Sequence, residues 1–345
     1  MNMSGCISSP TLCDAFGRQM SYLRVSVTDR CNFRCRYCRD DFDSNVDHHD
    51  ILRYEELESL LGLAVSLGVQ KIRFTGGEPF VRKGFMDFLE RMRSIHPEIS
   101  LRVTSNGTMP ADCITRLKAL NIGVNLSLDT LRRDRFAEVT GVDALPVVRA
   151  NIDRMLALGV PLKLNAVAMN GVNDDELPDF LRLAFTLPIE MRFIELMPVG
   201  SGSEQNNILF LAAADLQRKA EESYELLPIA SKRTDRGPAR VWRLKDADGN
   251  QSAGTFGLIS SVTHNACASC NRMRLTSEGN LRPCLFDGRE YRLKQILRHP
   301  KLGIDAVRTI WEKALARKPL GSVLLDDALK KETAVTQRRM VSIGG

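Results

Sequence analysis

Between residues 23 and 197, short β-branched apolar runs alternate with longer stretches whose apolar residues recur every three or four positions. Runs of the first kind mark strands and stretches of the second mark helices packed on a core, so the alternation predicts repeated βα units. Strands are expected at Leu23–Val27, Lys71–Thr75, Leu101–Thr104, Val124–Leu128, Leu162–Ala168 and Met191–Leu196. Tyr54–Leu67 carries the helical stripe, with Leu57, Leu60, Leu61, Ala64 and Leu67 on one face. Six such units suit an α/β fold built as a partial parallel (β/α)6 barrel better than a closed eightfold one. After Met197 the pattern breaks across the polar stretch Gly200 to Asn207, then turns strand-like at Ala239–Leu244 and Ser252–Ile259, which predicts a smaller C-terminal α+β domain. The expected division is an N-terminal extension over 1–20, the barrel over 21–199, the second domain over 200–337 and a tail over 338–345.

The strands are unusual in having a polar face. Alternate strand residues share a face, which groups Arg73 with Thr75, Asn125 with Ser127 and Asp129, and Lys163 with Asn165. A barrel packed only for stability fills its interior with Val, Ile and Leu. Arg, Lys, Ser and Asn toward the strand ends instead predict a cavity for a polar ligand.

Composition narrows the picture only a little. The 345 residues are 43% hydrophobic and 26% charged, ordinary for a globular protein, and the net charge of +6 suits an anionic ligand without approaching that of a nucleic-acid coat. The longest mostly apolar stretch, Leu60 to Val69, is half the roughly 20 residues a membrane-spanning helix needs. The first 20 residues carry no export or acylation pattern. A cytoplasmic protein is therefore expected, with its nine cysteines as thiols rather than disulfides. Cys6, Cys13 and Cys113 fit no ligand spacing and read as spare thiols or small core residues, Trp242 and Trp311 as packing residues, and Arg338-Arg339 as a solvated basic patch.

The other six cysteines fall in two sets of three. Cys31, Cys35 and Cys38 follow the first strand within eight residues, a spacing that chance would produce about 0.006 times per chain of this cysteine content. Three thiolates on a tight loop select a soft centre: zinc, copper(I) or iron–sulfur. Zinc wants a fourth ligand, for which His48 and His49 stand nearest, whereas an iron–sulfur cluster held by three cysteines leaves one iron open to a ligand. Cys267, Cys270 and Cys284 form the second set; His264 keeps a structural zinc site open, while Arg272 and Arg274 directly after Cys270 suit phosphate recognition.

The loop Cys31-Asn-Phe-Arg-Cys35-Arg-Tyr-Cys38, followed by Thr75-Gly76-Gly77-Glu78-Pro79 at the end of the second strand, resembles the signature of radical S-adenosylmethionine (SAM) enzymes. With Arg73-Phe-Thr-Gly-Gly-Glu-Pro, Thr104-Ser-Asn-Gly, Arg192-Phe-Ile-Glu-Leu-Met197-Pro, Cys267-x-x-Cys270-Asn-Arg-Met-Arg-Leu-Thr and a final Gly344-Gly345, the chain is similar over essentially its whole length to the MoaA family of GTP 3′,8-cyclases, which opens molybdenum cofactor biosynthesis. Arg39-Asp40 stands where that family usually has Met-Pro, and Ser201–Leu211 has no familiar counterpart.

The resemblance implies two 4Fe–4S clusters, one on Cys31, Cys35 and Cys38 and one on Cys267, Cys270 and Cys284. It implies SAM held by Tyr37, Gly77, Glu78, Ser127 and Met197, and GTP held by Arg24, Arg73, Thr104, Lys163, Arg272 and Arg274. The glutamate would receive the SAM ammonium, and the glycines would let the backbone approach its methionyl group. A 5′-deoxyadenosyl radical would take the ribose 3′ hydrogen of GTP, and the sugar radical would close onto guanine C8 to give a cyclised dihydro-GTP, with Arg272, Arg274, Gly344 and Gly345 in catalytic roles. An electron donor, a downstream cyclic pyranopterin monophosphate synthase and a homodimer are the partners it implies, with neither nucleic acid nor membrane. Two other readings stand beside it: a peptide-maturing radical SAM enzyme, which usually carries more cysteines in its second domain, and a zinc-stabilised nucleic-acid-binding module.

Overall fold

The computed structural model describes residues 12–38, 46–199, 208–230, 237–336, 338, 340 and 343. Six strands, β1 (Tyr22–Ser26), β2 (Lys71–Thr75), β3 (Ser100–Ser105), β4 (Gly123–Ser127), β5 (Leu162–Ala168) and β6 (Glu190–Glu195), lie side by side in chain order and all parallel. The elements expected from periodicity are all present, several strands beginning a residue early because the ladder picks up the polar residue before each apolar run.

Outward-facing residues are apolar and lie under helices: Leu23, Val25, Ile72, Phe74, Leu101, Val103, Val124, Leu126, Leu164, Met191 and Phe193 are all almost fully buried. The first helix, α1 (Tyr54–Ser66), buries Leu57, Leu60, Leu61 and Ala64 on this layer. Because the outer face alone supplies the main core, the inner face of the sheet is left for polar residues. Trp242 and Trp311 are buried packing residues, the first stacked on Phe256 at 5.9 Å.

The later strands do not build a sheet of their own. β7 (Glu225–Pro228), β8 (Arg240–Lys245) and β9 (Thr255–Ile259) extend the β6 edge, with β9 parallel to β6. β10 (Arg272–Leu275) pairs in parallel with β1, and β11 (Asn280–Arg282) and β12 (Tyr291–Arg292) continue antiparallel from it. One sheet of twelve strands thus carries both cysteine sets. Among the described residues no helix is long and apolar enough to cross a membrane.

Two expectations need correction. Cys13 is disulfide-bonded, so it is not a spare thiol, and the compartment argument does not hold for it. Arg338 is not simply solvated, since it pairs with Glu278 at 3.4 Å and Glu290 at 2.8 Å. Cys113 is a buried core thiol as expected. Cys6, Arg39-Asp40, Ser201 to Asn207, Arg339 and Gly344-Gly345 lie outside the described residues; of the unfamiliar segment, Phe210 bridges to Met169 at the end of β5.

Candidate functional site

Parallel strands place all their C-terminal ends at one mouth of the barrel. The loops there bring Cys31, Cys35, Tyr37 and Cys38 after β1, Gly76 and Gly77 after β2, Asn106 after β3, Ser127 and Asp129 at the end of β4, and Met197 after β6 onto one cavity of about 330 Å³. The cysteine loop is fastened on both sides. Arg34 and Arg36 donate their backbone N–H groups to the carbonyls of Thr140 and Val139 at 2.8 and 3.1 Å, and Phe33 packs edge-on against Phe136. On the other side Gly77 N donates to Thr28 O at 2.8 Å and Glu78 N to Arg30 O at 2.9 Å. This approach explains both glycines: a Cβ at Gly76 would lie 2.2 Å from Thr28 O, and one at Gly77 would lie 2.2 Å from Arg30 O. Their missing side chains seat the cysteine loop, where the sequence pointed to a ligand.

The three thiols sit together. Burial pushes the Cys35 thiol well above its ordinary range, reinforced by Cys38, Asp129 and Cys31 around it. The amide of Asn106 reaches Cys31 Sγ at 3.9 Å. Tyr37 donates its hydroxyl to Asp129 at 2.7 Å, and the other Asp129 oxygen accepts from Val167 N at 2.8 Å, a clamp at the edge of the cavity that no motif had announced.

Cys267, Cys270 and Cys284 line the same cavity from the opposite mouth. Topology puts them there: Cys270 precedes the start of β10, and β11, running antiparallel, returns the chain to that end just before Cys284. Burial raises the Cys270 thiol, but Arg272 and Lys318 overcome it and bring the group down to about 6. Burial raises Cys267, with Cys284 and Cys270 adding to it. Both trios present only thiols to the cavity, the donor type that selects iron–sulfur or a soft ion. His48, His49 and His264 are exposed and none lies on its wall. Among the described residues no three His, Cys, Asp or Glu gather at the spacing of a single ion.

Between the mouths the wall is basic. Register sets Arg24 beside Arg73 and Arg274, and Tyr22 beside Lys71 and Arg272. Burial pushes the Arg24 guanidinium down to about 10, and it pushes Arg274 well below its ordinary value too, helped by Arg24 and Arg272. Although burial raises the Tyr22 phenol, Arg73, Arg24, Lys71 and Arg272 bring it down to about 8. Such crowding of cations on a buried wall calls for an anion. Beside them Arg73 Nε, Thr104 Oγ1, Asn125 Nδ2, Asn165 Oδ1 and Ser260 Oγ are buried with no hydrogen-bond partner, which is the state of groups that wait for a polar ligand.

Of the residues singled out from sequence, the cavity gathers all six cysteines of the two sets, Tyr37, Gly77, Ser127, Met197, Arg24, Arg73, Thr104, Arg272 and Arg274. Two are not on its wall. Glu78 is buried, and its carboxylate accepts from Ser105 Oγ at 3.0 Å, Asn106 N at 2.7 Å and Phe80 N at 3.2 Å, so it ties the turn to the end of β3; burial raises its pKa to about 7. Lys163 donates to Glu190 at 2.6 Å, and burial, aided by Arg192, lowers it to about 8. Asn125 and Asn165, grouped on the polar strand face from sequence, lie on the wall; sequence reading missed Tyr22, Lys71 and Arg192 there, although the polar alternation of each strand carries the signal. Arg274 also donates to the backbone oxygen of Ile343 at 3.0 Å, and Ile343 is fully buried, so the chain is held at the cavity two residues before Gly345.

Two family models match the chain: the radical SAM superfamily over residues 25–184 and molybdenum cofactor synthesis C over residues 189–323. A GTP 3′,8-cyclase of Heliobacterium modesticaldum is 41% identical over 96% of this chain and 99% of its own length. One of Pelotomaculum thermopropionicum is 40% identical over the same shares. Among solved structures, Streptococcus suis SuiB bound to S-adenosylmethionine superposes with a TM-score of 0.60 at 15% identity, covering 94% of this chain and 78% of that one, a likeness of fold.

Proposed function

The chain belongs to the GTP 3′,8-cyclase family of radical SAM enzymes, and from that premise we propose how its own residues divide the work. It is a lyase that converts GTP into a 3′,8-cyclised dihydro-GTP at the start of molybdenum cofactor synthesis, using SAM and an iron–sulfur cluster. The observation that carries the reading is a single cavity with three thiols at each mouth and a basic wall between.

We assign the iron–sulfur cluster that meets SAM to Cys31, Cys35 and Cys38, and a second 4Fe–4S cluster to Cys267, Cys270 and Cys284. When bound, the first cluster with SAM supplies the reducing electron and the carbon radical that takes the ribose hydrogen. Gly77, Ser127, Met197 and Tyr37 line the SAM end of the cavity, while Glu78 acts by fixing the turn that carries Gly77. Arg24, Arg73, Arg272 and Arg274, joined by Lys71 and Arg192, face the triphosphate; paired guanidiniums match phosphate oxygens and neutralise them in a site water leaves. Thr104, Asn125 and Asn165 offer unsatisfied donors and acceptors to the sugar or base. Lys163 acts through Glu190, holding it so that Arg192 keeps its place. Enclosure matters because an unconstrained carbon radical attacks any nearby C–H bond.

In this reading residues 21–199 serve SAM and 200–337 serve the base of GTP, and the tail to Gly344-Gly345 completes the cavity beside Arg274. The reaction is placed in the cytoplasm, fed by an electron donor and drained by a synthase making cyclic pyranopterin monophosphate, with the homodimer as family habit. Anaerobic incubation with GTP, SAM and a reductant tests the reading: 5′-deoxyadenosine and a cyclised nucleotide are expected in equal amounts. Deoxyadenosine formed without any GTP-derived product refutes the substrate assignment. Iron and sulfide analysis separates it from a zinc protein.

A further inference from the structure

Lys318 is 2% exposed, yet among the described residues it donates to no carboxylate. Its ammonium donates instead to two backbone carbonyls, of Arg272 at 2.8 Å and of Pro283. Those carbonyls belong to the segments that carry two of the second-set cysteines, since Arg272 is two residues after Cys270 and Pro283 directly precedes Cys284. The third segment is tied to the same place by Arg18. Its guanidinium donates to Cys267 O at 2.8 Å and to Pro319 O at 2.9 Å, and is itself held by Asp14 in a buried pair at 2.5 Å. The helix Gly321–Lys330 then starts against the sulfurs, so closely that a Cβ on Gly321 would lie 2.8 Å from Cys284 Sγ and 3.4 Å from Cys267 Sγ.

A buried ammonium is tolerated only with an opposite charge nearby. Arg18 already has its carboxylate in Asp14. Lys318 has dipoles alone in its hydrogen bonds, so the negative charge it needs must come from the thiolates it borders. We infer that Lys318 is a positioning residue for the second cluster: it gathers the Cys270 and Cys284 segments, and its charge offsets that of the thiolate-ligated cluster and favours the reduced state. The inference rests on the assignment of a second cluster to Cys267, Cys270 and Cys284.

Lys318→Met and Lys318→Arg, each in the full chain and purified and reconstituted without oxygen, test it by EPR-monitored redox titration, with added SAM marking the signal of the first cluster. The parent protein must show a second cluster signal; its absence there defeats the assignment, not the role of Lys318. Given that signal, Lys318→Met is expected to move the second cluster to lower potential or to lose its iron, with the first cluster and SAM binding unmoved. Lys318→Arg, which keeps the charge, is expected to retain iron and to stay nearer the parent potential. A Lys318→Met protein with an unshifted second cluster overturns the inference. So does equal loss of the second cluster in both variants, which would make the site one of packing alone.

Discussion

Gly77→Ala is the sharpest test of how the first cysteine loop is held. A methyl group there would lie 2.2 Å from Arg30 O and 2.5 Å from Arg30 C, where ordinary contact begins near 3.4 Å, so the loop and the turn must separate by about 1.2 Å. The obstacle is backbone and cannot swing aside. That separation breaks the Gly77 N to Thr28 O and Glu78 N to Arg30 O hydrogen bonds. At about 0.5–1.5 kcal/mol each, they total about 1–3 kcal/mol, a fall of about 5- to 150-fold in the population of the ligand-ready loop. Gly288→Ala is the control, since a Cβ there meets nothing within 4 Å. Iron content, the visible spectrum of the reconstituted protein and SAM affinity are the readouts. Lower first-cluster occupancy and weaker SAM binding are expected with the melting temperature changed little, because the site lies outside the apolar layer. A Gly77→Ala protein with full iron and unaltered SAM affinity would refute the claim that these glycines seat the loop.

Cys35→Ser removes one of the three ligands we assign to the first cluster, and 5′-deoxyadenosine formation under reducing conditions should fall to background; persistence at the parent rate would break the cluster assignment. Arg73→Ala should weaken GTP binding tenfold or more while sparing SAM, since charge-assisted contacts contribute about 1.5–3 kcal/mol each. Lys163→Ala should produce a smaller loss in the same binding assay, because it reaches the site through Glu190 and Arg192; a loss larger than that of Arg73→Ala would place Lys163 itself on the substrate. Deleting Gly344 and Gly345 should spare both clusters and GTP affinity while cyclisation falls strongly, and full cyclase activity in the truncated protein would remove the tail from the site.

Periodicity made the barrel legible because its outer face obeys the usual rule: Ile72 and Phe74 alternate with Lys71 and Arg73, and only one of these pairs can lie under a helix. The same alternation exposed the polar interior. What it could not give was neighbourhood. Arg272 and Arg274 were read as phosphate ligands from residue type, but their place beside Tyr22 and Arg24 comes from a parallel pairing between strands some 250 residues apart, which no local pattern encodes. Glu78 shows another limit of local pattern. Its motif was plain, but the three donors that hold its carboxylate, on Phe80, Ser105 and Asn106, follow from the fold. Lys318 and Arg18 left no signal at all, since a buried cation on a loop looks in sequence like any exposed one.

The pairing of β10 with β1 also sets the scale of the site. Tyr22 is level with Arg272 at the mouth that holds Cys270, whereas Ser26, at the other end of β1, leads into the loop of Cys31. Four steps of about 3.3 Å each separate those ends by about 13 Å. A ladder of hydrogen bonds maintains that length, so the distance between the two trios does not depend on how a second domain swings. A nucleoside triphosphate can lie in such a span with its base at one mouth and its sugar toward the other. In the proposed reading, the basic wall formed by Arg24, Arg73, Arg272 and Arg274 would meet the phosphates from the side. In the proposed reading, joining the late strands to the barrel edge would let one sheet hold both ends of the reaction in register, a condition for directing a radical to one hydrogen and no other.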